Sequence, residues 1–195
     1  MIPTSKLVAQ GTVPTSYMKG KPKMHILETE RLKLIPFSLE LKKLAALNDR
    51  AAIAEKLGIR LSEDWPPADY AEALPTFIRR MEEDRSGAVW DGIIVHKADG
   101  VAIGGMGFHG GPDETGAVEI GYDVVSAYRN CGYTTEMARR LITWASVQPR
   151  ILVVKAGCSY DNIGSIRVLE KAGMRCISQG GDMLWWEIRL PKGDL

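Results

Sequence analysis

Between Val124 and Met137 lies a run of residues, Ser126-Ala127-Tyr128-Arg129-Asn130-Cys131-Gly132-Tyr133-Thr134-Thr135, whose types suit the binding of an anion. Upstream, Val118, Ile120, Tyr122 and Val124 alternate with Glu119, Gly121 and Asp123, the period of a half-buried strand. Downstream, Ala138, Leu141, Ile142 and Ala145 recur on one helical face. A strand that breaks at Arg129-Asn130-Cys131-Gly132 and restarts as a helix leaves several backbone N–H groups unpaired and pointing one way. With the helix dipole behind them, such groups hold phosphate. A P-loop does not fit, because no Lys-Ser/Thr pair follows Gly132. A dinucleotide fingerprint needs three glycines at fixed offsets, and this turn offers only Gly132.

A second segment, Asp161-Asn162-Ile163-Gly164-Ser165-Ile166-Arg167-Val168-Leu169-Glu170-Lys171-Ala172-Gly173-Met174, follows a strand-like run from Ile151 to Gly157. It reads as a helix with Asn162 near its N-cap, Ile166 and Leu169 toward the core, and Gly173 just past its end. Together the two segments resemble motifs A and B of the GNAT superfamily of acetyl-coenzyme A-dependent N-acetyltransferases. Arg129, Gly132 and Thr134 stand at the positions of the Arg/Gln-x-x-Gly-x-Gly/Ala turn. Thr134 departs from that pattern, as does Asn130, where many relatives have glycine. The Asn162 to Met174 segment resembles Asn-x-x-Ser…Glu-Lys-x-Gly-Phe/Met nearly residue for residue. Glu119-Ile120-Gly121-Tyr122 and Thr29-Glu30-Arg31-Leu32 place the resemblance nearest the branch that includes ribosomal-protein N-terminal acetyltransferases. It extends from about Leu27 to Leu190.

The resemblance implies acetyl-CoA as co-substrate, a primary amine as acceptor, no metal, and a ternary complex in which the amine attacks the thioester directly. Backbone N–H groups of Asn130, Cys131, Gly132, Tyr133, Thr134 and Thr135 would take the pyrophosphate, with the two threonine hydroxyls in reach. Main-chain groups near Val124 and Ser126 would pair with the pantetheine amides as an added strand does. Asn162 would fix the arm, and Ser165 would protonate or hydrogen-bond the departing sulfur. The same two residues also suit plain helix capping. The acceptor stays open among a protein N-terminus, an amino sugar, a polyamine and an antibiotic, and a homodimer remains compatible. The rival reading is a catalytically silent acyl-CoA-binding module.

An amine with a pKa of about 8 to 10 is mostly protonated at neutral pH, so a base or a water relay is needed. Glu119 is the first candidate, on the strand face opposite Val118 and Ile120; the competing reading is a solvated or ion-paired glutamate. His109, after the Val101 to Phe108 strand, could line the acceptor site or simply face solvent. Asp182 reads as a turn residue, Tyr122 and Tyr133 as packing residues, and Cys131 as a small residue that fits its loop.

The elements that must position these groups follow from periodicity. His25 to Pro36 suggests a first strand, Ser38 to Leu57 one or two helices, and Asp69 to Asp84 another that Pro75 should kink or split. Gly92 to His96 and Val101 to Phe108 flank a hairpin turn at Lys97 to Gly100, and Met183 to Leu190 alternates as a terminal strand. The fold class expected is a mixed, mostly antiparallel α/β (α+β) sheet flanked by helices, in one domain spanning residues 24–195. In the superfamily the strand ending at Val124 splays from the one at Ile151 to Gly157, and the pantetheine arm lies in the gap. Residues 1–23 read as a mobile arm without a signal peptide's apolar core.

Composition narrows the classes further. Lysine plus arginine number 25 against 24 acids, which gives no bulk charge for holding nucleic acid. The three cysteines, Cys131, Cys158 and Cys176, lack Cys-x-x-Cys spacing and point to a reducing, cytoplasmic setting. No apolar run approaches the roughly 18 residues of a membrane span.

Overall fold

The computed structural model describes residues 24–84 and 88–191. The arm read at residues 1–23 lies outside the described residues. The elements in chain order are β1 (Leu27–Glu28), β2 (Leu32–Pro36), α1 (Leu39–Ala46), α2 (Arg50–Leu57), β3 (Arg60–Leu61), α3 (Ala68–Glu83), β4 (Asp91–His96) and β5 (Val101–Phe108). There follow β6 (Ala117–Val124), α4 (Tyr133–Ser146), β7 (Val153–Ser159), α5 (Ile163–Lys171), β8 (Arg175–Gly180) and β9 (Met183–Arg189). The strands form one sheet in the order β1-β2-β4-β5-β6-β7-β9-β8, with β3 paired to β5. Pairing is antiparallel except between β3 and β5 and between β6 and β7, which are parallel.

Alternation along β6 divides the molecule. Val118, Ile120 and Val124 are buried on one face, where α4 supplies Met137, Ala138, Leu141 and Ala145. Each such leucine or isoleucine contributes about 1.5–3 kcal/mol when fully buried, so this layer is a main source of stability. On the other face α1 packs on α3, burying Leu41 and Leu74. There Phe37, Trp65 and Tyr70 meet ring to ring, with centroids 5.7 to 5.8 Å apart.

The structure sharpens the sequence expectations and alters two of them, the first strand and the effect of Pro75. The first strand breaks in two because Thr29 to Arg31 form a tight turn, closed by Thr29 N–H donating to Leu32 O at 3.0 Å. The region from Ser38 to Leu57 resolves into two helices, capped by the Ser38 and Asp49 side chains. Pro75 does not split α3, which runs unbroken. Pro75 and Ala71 are both exposed, so the carbonyl that proline leaves without its partner can turn to water. The short strands β3 and β8 carry little periodic signal, since β8 is exposed along its whole length.

Candidate active site

The parallel pairing of β6 with β7 covers only Ala117 to Glu119 against Val153 to Lys155. Beyond those three pairs β6 continues to Val124 and β7 to Ser159, held only by their outer neighbours β5 and β9. The strands therefore splay. His109 N–H donates to Glu119 O, so the odd residues of β6 turn their main-chain groups to β5. Alternation puts those of Ile120 and Tyr122 on the open edge, where an extended amide-bearing ligand can pair with them.

At the mouth of the splay β6 runs into a single 3₁₀ turn, Ser126 to Tyr128, and then the glycine loop. Asn130 and Gly132 both adopt left-handed backbone, with φ of 61° and 80°. Glycine takes that conformation without the steric penalty that a side chain meets. Gly132 is the N-cap of α4, and no side chain caps this helix. The first internal bond runs from Glu136 N–H to Gly132 O. Among the described residues no acceptor meets the N–H groups from Asn130 to Thr135. Such a row of orphan donors at a helix N-terminus fits a pyrophosphate.

Two arginines brace this loop. Arg129 Nε donates to Val124 O at 2.9 Å, tying the loop to the end of β6. That bond uses one lone pair of a carbonyl expected to face the pantetheine arm. Arg31, about 100 residues away in sequence, donates from Nη1 to Cys131 O at 3.2 Å and from Nε to Glu136 Oε2 at 2.7 Å. Its guanidinium also lies 4.5 Å from the Tyr133 ring centroid. Burial alone would raise the Glu136 carboxyl, but bonds from Thr29 and from the backbone and side chain of Arg31 hold it below the usual carboxylate range. Sequence reasoning placed Arg31 only in an opening motif, and nothing local announces its partner.

Across the splay, Asn162 Oδ1 accepts from Ser165 N–H at 3.0 Å, so Asn162 caps α5. Tyr122 reaches over and donates its hydroxyl to Ser165 O at 3.4 Å. Burial pushes the Tyr122 phenol up to about 12, keeping it neutral and a donor. The residue read as packing thus stands between β6 and α5, at the gap itself.

On the opposite face of β6, a cavity of about 490 Å³ lies between α3 and β4, β5 and β6. Tyr70, Phe77 and Met81 of α3 and Trp90 before β4 form its apolar wall. At one end the buried Lys42 ammonium, 1 % exposed, donates to both oxygens of Asp91 at 2.6 and 2.8 Å and to Phe37 O at 3.0 Å. The Tyr70 hydroxyl also donates to Asp91 at 2.6 Å. Burial pulls the Lys42 ammonium below the usual lysine range, opposed by Asp91. Asp123 lines the same cavity, and one oxygen accepts from Gly105 N–H at 3.1 Å. Burial raises its carboxyl to about 6, with the Gly105 bond and Arg129 working the other way.

Glu119 does not line this cavity, whereas His109 does. The Glu119 carboxylate sits 3.7 Å from His109 Nδ1, and both side chains are exposed. His109 Nε2 lies over Gly121, where a β-carbon would come within 2.5 Å of it. Glu119 is thus separated from the cavity by His109. Asp182 is in the turn between β8 and β9, far along the sheet order, and does not line the cavity. Cys131, Cys158 and Cys176 are all free. Among the described residues there is no cluster of three or more His, Cys, Asp or Glu side chains able to hold a metal. Nor is any helix long and apolar enough to cross a membrane.

The model of the acetyltransferase (GNAT) domain matches residues 31–175 of the chain. The protein belongs to the GNAT acetyltransferase family. It is also similar to an uncharacterized N-acetyltransferase, YjdG, of Bacillus subtilis (strain 168), at 36% identity over 164 residues, which cover 84% of this chain and 97% of that one. Among solved structures it shares its fold with the ribosomal-protein-S5-alanine acetyltransferase of Vibrio fischeri, at a TM-score of 0.60 and 14% identity, covering 86% of this chain and 97% of that one. The microcin C7 self-immunity acetyltransferase MccE, described in complex with acetyl-CoA and AMP, superposes with a TM-score of 0.56 at 15% identity, covering 83% and 93% of the two chains. This GNAT protein is therefore an acetyltransferase with the family's mixed sheet and splayed strands.

Proposed function

We propose that this acetyltransferase transfers the acetyl group of acetyl-CoA to a primary amine seated in the cavity beneath α3. The observation that carries the reading is the continuity of β6. One edge of this strand opens into the splay behind the orphan N–H groups of the glycine loop, and one face floors the cavity. A donor lying along the edge and an acceptor lying on the face meet at the same residues.

Bound acetyl-CoA supplies an acetyl thioester already activated toward amines. The N–H groups from Asn130 to Thr135 hold its pyrophosphate, and the open edge at Ile120, Tyr122 and Val124, with Ser126, pairs with the pantetheine amides. Asn162 sets the start of α5, and the Ser165 hydroxyl points its proton at the departing sulfur, with the neutral Tyr122 phenol beside it. The amine nitrogen bonds to the carbonyl carbon as the carbon–sulfur bond breaks. A thiol titrates near 8.5, so the thiolate leaves readily and a donor adds a modest factor.

Glu119 draws the amine's proton through His109. His109 Nε2 faces the cavity floor at Gly121, and Nδ1 faces Glu119, so a proton taken at Nε2 leaves an imidazolium beside a carboxylate. The acting unit is residues 24–195 as one catalytic domain. The reading is tested by calorimetry with acetyl-CoA in the presence of a chelator, followed by thiol release against a panel of amines and N-terminal peptides. Tight binding with chelator and amine-dependent thiol release are expected. Binding without release for every amine would favour the acyl-CoA-binding module instead.

A further inference from the structure

Of the aspartates that line the cavity, Asp91 and Asp123 lie on its strand side, at β4 and β6, and they differ in one respect. Asp91 is saturated, taking Lys42 on both oxygens and Tyr70 on one. Asp123 receives one backbone N–H from Gly105 and, among the described residues, no cationic side chain within ion-pair distance. Arg129 favours the Asp123 carboxylate by its charge, but it turns its Nε to Val124 O. A half-buried carboxylate that no cation pairs directly is costly to keep charged, and a bound ammonium lowers that cost. The wall facing it is aromatic: Tyr70 and Phe77 pack at 5.3 Å between centroids, and Trp90 closes the side near Gly111. Such faces accept both a flat apolar body and a cation.

We propose that the acceptor is a small primary amine carried on an aromatic body, with Asp123 holding its ammonium group and the wall of Tyr70, Phe77 and Trp90 packing its ring. This rests on the cavity being the acceptor site, as proposed above. The cavity, at about 490 Å³, suits a single small molecule. Gly121 and Asp123 lie two residues apart on one face of β6, roughly 7 Å along the strand. An amine nitrogen between them touches the Asp123 carboxylate and, on losing its proton, the His109 ring over Gly121. A polyamine has no ring for the aromatic wall.

The test uses the full chain with acetyl-CoA and three acceptors: 2-phenylethylamine, spermidine and an alanine-initiated hexapeptide. The expected result is the highest kcat/KM for 2-phenylethylamine. Asp123→Asn, which keeps the Gly105 bond, should raise its KM tenfold or more while coenzyme affinity stays unchanged. Phe77→Ala leaves the carboxylate in place and should raise the KM for 2-phenylethylamine more than that for spermidine. Preference for spermidine or the peptide, or an unchanged KM in Asp123→Asn, overturns the inference while leaving acetyl transfer intact. If the protein binds acetyl-CoA but turns over none of the three, calorimetry of 2-phenylethylamine on the CoA-saturated protein decides, and absence of binding overturns the inference. Failure to bind acetyl-CoA at all refutes instead the coenzyme cleft between β6 and β7.

Discussion

Replacing Asp123 by asparagine should make this protein more stable at pH 8 and leave it nearly unchanged near pH 4. Asp123 carries a carboxyl whose folded value is about 6 against 3.8 for the free group, and burial is the largest cause. A folded value raised above the unfolded one means that the folded state binds the proton more tightly. Asp123 therefore weighs least on stability below 3.8, and its cost grows as pH rises through the window from 3.8 to about 6. A rise of that size corresponds to about 3 kcal/mol at most. The carboxyl is only half-buried and faces an open cavity where water screens it, so on the order of 1–2 kcal/mol is the realistic gain. Asparagine removes the charge and keeps an oxygen for Gly105 N–H, so the substitution isolates ionisation. Urea unfolding of both proteins at pH 4, 5, 6, 7 and 8 is the measurement. The variant's advantage should be small at pH 4, grow with pH and level off above 7. A stability difference that does not change with pH, or a variant less stable at pH 8, would show that Asp123 is not held as a strained carboxylate.

Gly132→Val should lower acetyl-CoA affinity tenfold or more in a folded protein. A β-carbon there meets only Arg31 Nη2 at 3.7 Å, so the penalty comes from the left-handed backbone, about 1–2 kcal/mol; unchanged calorimetric affinity removes the loop from the site. Ser165→Ala keeps the backbone bond to Asn162 and should reduce kcat by up to about 10²-fold with coenzyme affinity intact, whereas parallel losses of rate and affinity would mark a binding role. Glu119→Gln should slow turnover at neutral pH by roughly 10²-fold and recover part of it at high pH, where more amine is already deprotonated; a wild-type pH profile makes Glu119 structural. Lys42→Met should cost about 3–5 kcal/mol in thermal or urea unfolding by leaving Asp91 with the Tyr70 hydroxyl but no cation, and Asp91→Asn added to it should restore much of that loss. An equal loss in the double variant would mean that Lys42 matters through packing alone.

Features set by local spacing could be read from the residues alone. The glycine loop and the cap of α5 were legible because Gly132 takes a left-handed conformation and Asn162 accepts from the N–H three residues on, both short-range requirements. The alternation of β6 was legible too, and with it the facing of Glu119, Gly121 and Asp123 away from α4. Alternation gives the face of a side chain but not what covers it. It took the folded chain to show that His109 stands between Glu119 and the cavity, that Lys42 saturates Asp91, and that Asp123, among the described residues, forms no ion pair. The bracing of the loop by Arg31 likewise joins residues about 100 apart, and the splay of β6 from β7 exists only because their pairing stops after three residues. These depend on which distant segments are brought together and how far water is excluded, and neither quantity is carried by the spacing of residues along the chain.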